Sequence, residues 1–172
     1  MTGCAVRPER PHDPGRVFEL LVAAFGRPDE ARLVEALRAA SALSISLVAE
    51  SAGLVLGHVA FSPVRVGRGA SAWDALALGP MAVDPAHQRG GIGSALVRAG
   101  LARCRDEGHS IVFVLGHPRY YPRFGFEPAA PHGLTYAGGP AFAPAFFVAE
   151  LEPGALAGRG GTVCYRPEFA GL

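Results

Sequence analysis

The chain has no lysine: every one of its 16 basic residues is arginine. That excludes a Walker phosphate loop, which requires Gly-Lys-Ser or Gly-Lys-Thr. It also excludes acetylation of any lysine side chain of the protein itself. Cysteine is scarce. Cys4, Cys104 and Cys164 are odd in number, widely spaced and form no C-x-x-C pair, which excludes a disulfide scaffold. The six histidines show no H-E-x-x-H or similar spacing, so no structural zinc or other metal site is expected. Three separate thiols fit a reducing cytosol, and the protein is expected to be cytoplasmic. The amino-terminal stretch from Met1 to Pro11 lacks the apolar core of a signal peptide, and no run approaches membrane-spanning length. An excess of one charge is missing too: 16 basic against 15 acidic residues leave +1. Neither a nucleic-acid groove nor an anionic membrane is therefore expected as the main partner.

What the chain has is apolar content, at 49% of 172 residues. A domain of this length can bury roughly 70% of its unfolded surface, which supports a substantial core. No repeat or long linker divides it, so residues 1–172 read as one domain. Cys4 to Arg7 reads as a short strand. A helix is predicted from Pro14, with Val17, Leu20, Leu21 and Ala24 at helical spacing, and a second after Pro28, with Leu33, Leu37 and Ala40 on one stripe. Asp29 and Glu30 at its start suit the positive end of the helix dipole. Leu43 to Glu50 and Leu54 to Val66, joined at Ser51-Ala52-Gly53, read as a hairpin. Ala75 to Val83 is nearly all apolar, as in a strand buried on both faces. Gly79-Pro80 interrupts it, and proline cannot donate to a sheet ladder, so a bulge or a local separation of strands is predicted there. Ile92 to Asp106 is an amphipathic helix and Ile111 to Leu115 a buried strand. Pro128 to Pro144 reads as loop, Ala145 to Leu151 as strand, and Val163 to Tyr165 as a short strand in a loop-like tail. The order implies a mixed α/β sheet.

The chemistry concentrates in Ala82 to Leu96: strand, turn at Asp84-Pro85, glycine-rich loop, helix. A helix start presents unpaired N–H groups and roughly half a positive charge. Gly90, Gly91 and Gly93 remove the side chains that would hold a phosphate away. An anion site is therefore favoured over a turn that merely permits close helix packing. A dinucleotide fingerprint fits poorly: Gly91 and Gly93 match, but Leu96 takes the third glycine's place, and the next strand ends in Gly116-His117 without the acid that binds a ribose.

Gln88-Arg89-Gly90-Gly91-Ile92-Gly93 resembles the Q/R-x-x-G-x-G/A motif of the GNAT superfamily of acyl-CoA-dependent N-acyltransferases. Tyr121-Pro122-Arg123-Phe124-Gly125-Phe126 is similar to the family's Y-x-K-x-G-F segment, with Arg for Lys. The element order from Cys4 to Leu151 also resembles that fold, and the V-L-G-H-P-x-Y-Y-P-R-F-G-F stretch looks like a bacterial branch with mostly unassigned substrates. The resemblance implies a mostly antiparallel sheet splayed at the CoA site and flanked by helices. It implies acetyl-CoA as acyl donor, with Gln88, Arg89, Gly90, Gly91, Ile92, Gly93 and Ser94 at its pyrophosphate. Backbone groups of Met81, Ala82 and Val83 would face pantetheine, and Tyr121 would give a proton to the departing CoA thiolate. A non-catalytic acyl-CoA-binding module of the same fold stays open as an alternative.

A base is missing from the expected place, since Leu76 to Val83 contains no acid. Asp74, Glu50, His117 and a water chain all stand as candidates. Read from the residues alone, Tyr120 and Tyr121 are not separable. Arg119 and Arg123 read as surface residues or CoA-phosphate contacts. The acceptor is expected to be an amine bound between the helix pair after Pro14 and the Pro128–Pro144 loop, where apolar groups favour a small or partly apolar molecule. A homodimer is left open by the resemblance.

Overall fold

Alternating side chains on the long strands decide the layering. In β3 (Leu54–Val66), Val59 and Phe61 enter one cluster with Leu96, Val97, Leu101 and Cys104 of α3 (Ile92–Asp106). Ala60, on the opposite face, meets Val17, Leu20 and Leu21 of α1 (Pro14–Phe25) and Val34 of α2 (Asp29–Ala39). Neighbouring residues of a strand point to opposite faces, so one apolar run feeds two helical layers. The computed structural model describes residues 3–172; residues 1 and 2, which begin the amino-terminal stretch read above, lie outside the described residues.

The remaining strands are β1 (Ala5–Pro8), β2 (Ile45–Ser51), β4 (Trp73–Val83), β5 (Ile111–Leu115), β6 (Glu127–Pro128), β7 (Leu134–Tyr136), β8 (Phe146–Glu150) and β9 (Gly161–Cys164). They run β1-β2-β3-β4-β5-β8-β6, with β9 against the end of β3 and β7 beside β9. Among the described pairs only β4–β5 and β7–β9 are parallel. The expected mixed, mostly antiparallel sheet is observed. Beyond the reach of α1 and α2, the same face is covered by a third cluster, where Phe113 stacks on Phe146 at 5.5 Å and Val163 of β9 is fully buried.

The sheet is pinned near β1 by charge. Asp13 is buried; it accepts from the Arg7 guanidinium at 2.6 and 3.1 Å and from the Arg10 amide at 2.6 Å. Arg7 also reaches Glu50 on β2. The Arg7 hydrogen bonds outweigh burial and hold the Asp13 carboxyl at about 2. This ties β1, β2 and the start of α1 together.

The structure adds to the sequence reading in the carboxyl-terminal third. The predicted Pro128–Pro144 loop contains the short strand Leu134–Tyr136, held by register with Gly161 to Val163 some 27 positions away. Three residues between glycines and prolines carry no readable period, so only this long-range pairing makes them a strand. In the tail, Phe169 packs beside Leu33 and Leu37 of α2.

Candidate active site

The site begins where two strands part. β4 and β5 pair at Leu76–Val112, Ala77–Phe113 and Leu78–Val114, and no further. At that point Gly79 and Pro80 together face the single residue Ala60 of β3, because the register moves from Phe61–Leu78 to Val59–Met81. A bulge of this kind bends the strand and ends local pairing. The predicted interruption at Gly79-Pro80 is thus present as both a bulge and a separation of strands.

Beyond the bulge, β4 still pairs with β3. Asp84 donates its amide to the Leu56 carbonyl at 2.8 Å. In an antiparallel ladder backbone groups alternate in direction, so Ala82 also faces β3, while Met81 and Val83 turn their N–H and C=O toward the gap left by β5. Of the expected pantetheine contacts, Met81 turns its N–H and C=O there and Val83 its N–H, while Ala82 contributes only its place in the wall. The Val83 carbonyl accepts the Gln88 side-chain amide at 3.2 Å, so Gln88 braces the loop onto the strand end.

The gap runs into the start of α3. Its first intrahelical bond is from the Ala95 amide to the Gly91 carbonyl at 3.0 Å, so the amides of Ile92, Gly93 and Ser94 have no partner in a preceding turn. Gly91 has φ +88° and open space around a would-be Cβ. Arg89, at φ +63°, adopts a conformation unfavourable by roughly 1–2 kcal/mol for an L-residue. Such strain gathers where backbone geometry serves binding. Asp84 anchors the loop by accepting from the Ala86 amide at 3.0 Å and from Arg16 of α1 at 2.8 Å. The resulting cavity, about 650 Å³, is lined by Met81, Ala82, Val83, Gln88, Arg89, Gly91, Gly93 and Ser94. Arg123 joins them, and among the described residues nothing anionic does. Glycine amides, a helix N-terminus and arginines form a cradle that fits a pyrophosphate.

The two tyrosines occupy different environments. Tyr121 is 8% exposed, with its ring under Gly116, where a Cβ would come within 2.1 Å of it, and edge-on to Phe126 at 5.6 Å. Burial, with a smaller contribution from Tyr120, raises its pKa far above that of an ordinary phenol. Tyr120 stands between the two cavities of the site, its hydroxyl 2.8 Å from where a Cβ on Gly93 would lie. Arg123 sits over its ring at 4.5 Å and donates to its carbonyl at 3.2 Å.

Next to the cradle, sharing Met81, Phe25 and Tyr120 with it, lies a second cavity of about 530 Å³. Tyr121 and His117 line it, as do Gly79 and Pro80. His117 accepts the Arg119 amide on Nδ1 at 3.2 Å, which places the proton of its neutral ring on Nε2 and leaves a donor on the free side. Asp74 and Glu50 are not there. Asp74 is at the opposite end of β4, 72% exposed and paired with Arg65 at 2.9 Å. Glu50 is held in the Arg7 cluster. A different acid is present: Glu30 of α2, whose side chain is only 8% exposed and is bound by Arg27 at 2.5 Å. Its signal was legible in the sequence. Glu30 shares one helical stripe with Leu33, Val34 and Leu37, at i+3, i+4 and i+7, which makes it a carboxylate on an apolar face rather than a dipole partner only.

Comparison with known proteins decides the family. Residues 5–129 match the acetyltransferase (GNAT) domain family. The N-acetyltransferase YhbS of Escherichia coli is 39% identical over 165 residues, covering 95% of this chain and 97% of that protein. The chain belongs to the GNAT acetyltransferase family.

Solved members of the family share its shape. The crystal structure of Escherichia coli YhbS in complex with CoA superposes with a TM-score of 0.91 at 37% identity, covering 98% of this chain and 93% of that one. A GNAT family acetyltransferase from Brucella melitensis, solved with acetyl-CoA, gives 0.79 at 37% identity, covering 98% and 99%. Within this GNAT domain β4 carries no acid near the gap: its only carboxylate is Asp74, far from it.

Proposed function

We propose that this chain transfers the acetyl group of acetyl-CoA to a primary amine by direct attack on the thioester. The observation that carries this is the parting of β4 from β5 after Leu78, which opens a slot edged by the backbone N–H and C=O of Met81 and the N–H of Val83 and closed by the unpaired amides at the start of α3. The CoA and acetyl-CoA complexes of the YhbS and Brucella melitensis structures support it. Bound there, acetyl-CoA supplies an activated acyl carbon and a thiolate leaving group. Gly91, Ile92, Gly93 and Ser94 hold the pyrophosphate, Arg89 and Arg123 neutralise it, and Met81 and Val83 pair with the pantetheine amides as an added strand.

The second cavity accepts the amine. In the net reaction nitrogen loses a proton, an N–C bond replaces the C–S bond, and sulfur gains a proton. Tyr121 lies in the wall of this second cavity and is the proposed donor of the sulfur's proton. A phenol of ordinary pKa giving its proton to a thiolate is uphill by roughly 2 kcal/mol, and burial of Tyr121 adds to that. The hydroxyl is therefore fully protonated at rest, and its proton moves only as negative charge develops on sulfur. No cysteine serves as a covalent relay: none lines either cavity, and burial pushes the Cys104 thiol up to about 12. Three unpaired thiols also support a reducing, cytoplasmic setting.

Calorimetric titration with acetyl-CoA, with ATP and NAD as controls, tests the reading. Selective acetyl-CoA binding is expected; a preference for either control nucleotide, or no binding, overturns it.

A further inference from the structure

The second cavity has a composition that restricts its acceptor. Glu30 carries the only side-chain carboxylate among its described lining residues, and no arginine is among them. The wall opposite the cradle is aromatic: Tyr136 meets Phe142 edge-on at 5.4 Å and Tyr165 at 5.2 Å, and the Tyr165 hydroxyl is buried without a partner. The rim is apolar as well. The described surface exposes four large apolar side chains, and three of them, Phe25, Phe142 and Leu172, border this cavity. Exposed apolar groups gathered around a concavity mark a binding groove rather than ordinary surface.

Resting on the acetyltransferase reading above, we propose that the acceptor is a primary amine on an uncharged apolar body, aromatic or alkyl, without a carboxylate of its own. Glu30 receives its ammonium group and the aromatic wall receives its body. Arg27 does not exhaust Glu30. It binds Oε1 through Nη2 at 2.5 Å and through Nε at 3.2 Å, and Oε2 through Nε at 3.1 Å, whereas a carboxylate offers about four acceptor positions, so one on Oε2 stays open. Arg27 is itself half exposed, so its charge is solvated. An α-amino acid would bring its carboxylate next to Glu30, where the neighbouring cation, Arg27, is already bound to Glu30. A polyamine would leave its second ammonium against rings and alkyl groups, with Glu30 already engaged.

Phenethylamine, phenylalanine and spermidine, each with acetyl-CoA in a thiol-release assay, separate these cases. Phenethylamine is expected to exceed both others in kcat/KM by about 100-fold, the scale set by leaving a charge unpaired in an apolar site. Glu30→Gln, which preserves volume, should raise its KM by about 10-fold with little change in kcat. Arg27→Ala, which leaves the carboxylate in place, should keep KM the same or lower it. Faster turnover of phenylalanine or spermidine overturns the proposal. So does an equal rise in KM in both variants, which would make Glu30 only a folding partner of Arg27. If acetyl-CoA binds but none of the three amines releases thiol, this acceptor class falls and the acetyltransferase reading stands. If acetyl-CoA does not bind, that reading falls first.

Discussion

Tyr120 and Tyr121 are adjacent in sequence and differ in what surrounds their hydroxyls. Tyr121 is sealed under Gly116 and against Phe126, while Tyr120 bridges the two cavities beside Gly93. A proton donor that acts only as C–S cleavage proceeds is worth roughly 100-fold or more in rate. Tyr121→Phe is therefore expected to lower kcat by about that factor while leaving the acetyl-CoA dissociation constant within about two-fold, read by thiol release and calorimetry. Tyr120→Phe should weaken acetyl-CoA binding more than it slows turnover, because its hydroxyl lies at the start of α3. The reverse pattern would transfer the donor role to Tyr120. Glu30 shows the same principle at the level of one residue: its charge suggests a helix-start acid, and packing buries it in the wall of the second cavity.

α3 has two kinds of glycine with two functions. Gly91 lies at the cradle in a left-handed conformation, facing open space that a phosphate needs. Gly91→Glu is expected to abolish acetyl-CoA binding in calorimetry, since it adds strain, bulk and a negative charge at the helix start while the fold remains intact by circular dichroism. Gly100 lies on the buried face, where an added Cβ would come within 2.4 Å of the Phe61 ring. Helix propensity alone would favour alanine there by about 1 kcal/mol. The ring cannot retreat within a packed core, so Gly100→Ala should instead destabilise the protein by about 1–3 kcal/mol in urea unfolding. Unchanged or increased stability would show that α3 can lift off the sheet to accommodate it. The β4 bulge is an element-scale device of the same importance: it lets a strand buried on both faces release one neighbour while keeping the other.

At the scale of the whole molecule, the Arg7–Asp13–Glu50 cluster couples folding to pH. The Asp13 carboxyl is held at about 2, below its ordinary 3.8. A depressed carboxyl contributes stability that is present above the unfolded value and lost as pH falls from about 4 toward about 2. Asp13→Asn is expected to cost about 2 kcal/mol at pH 7 and to have little effect at pH 2, a narrowing gap that urea titrations across this range would measure. A constant difference at both pH values would mean that packing, rather than ionisation, sets the cost. His58 adds a second acid-sensitive group: it is fully buried, and burial lowers its pKa, so protonation below about 6.5 opposes the fold.

The sequence by itself determined what depends on neighbours along the chain. Helical spacing from Ile92 to Asp106, alternation in the long strands, the proline that interrupts β4 and the glycines before α3 all act locally, and the structure has each where the residues put it. Tertiary structure decided what depends on distant pairings. Only the sheet's register shows that Met81 and Val83 face the gap while Ala82 does not, and only β9 makes Leu134–Tyr136 a strand. Only packing keeps Asp74 and Glu50 away from the site and brings Glu30 from α2 to line one cavity with Tyr121 and His117. The physical reason is one of range. Backbone propensity and periodicity act over a few residues, whereas the burial of a charge and the facing of side chains across a cavity depend on segments that meet only when the sheet has closed over its helices.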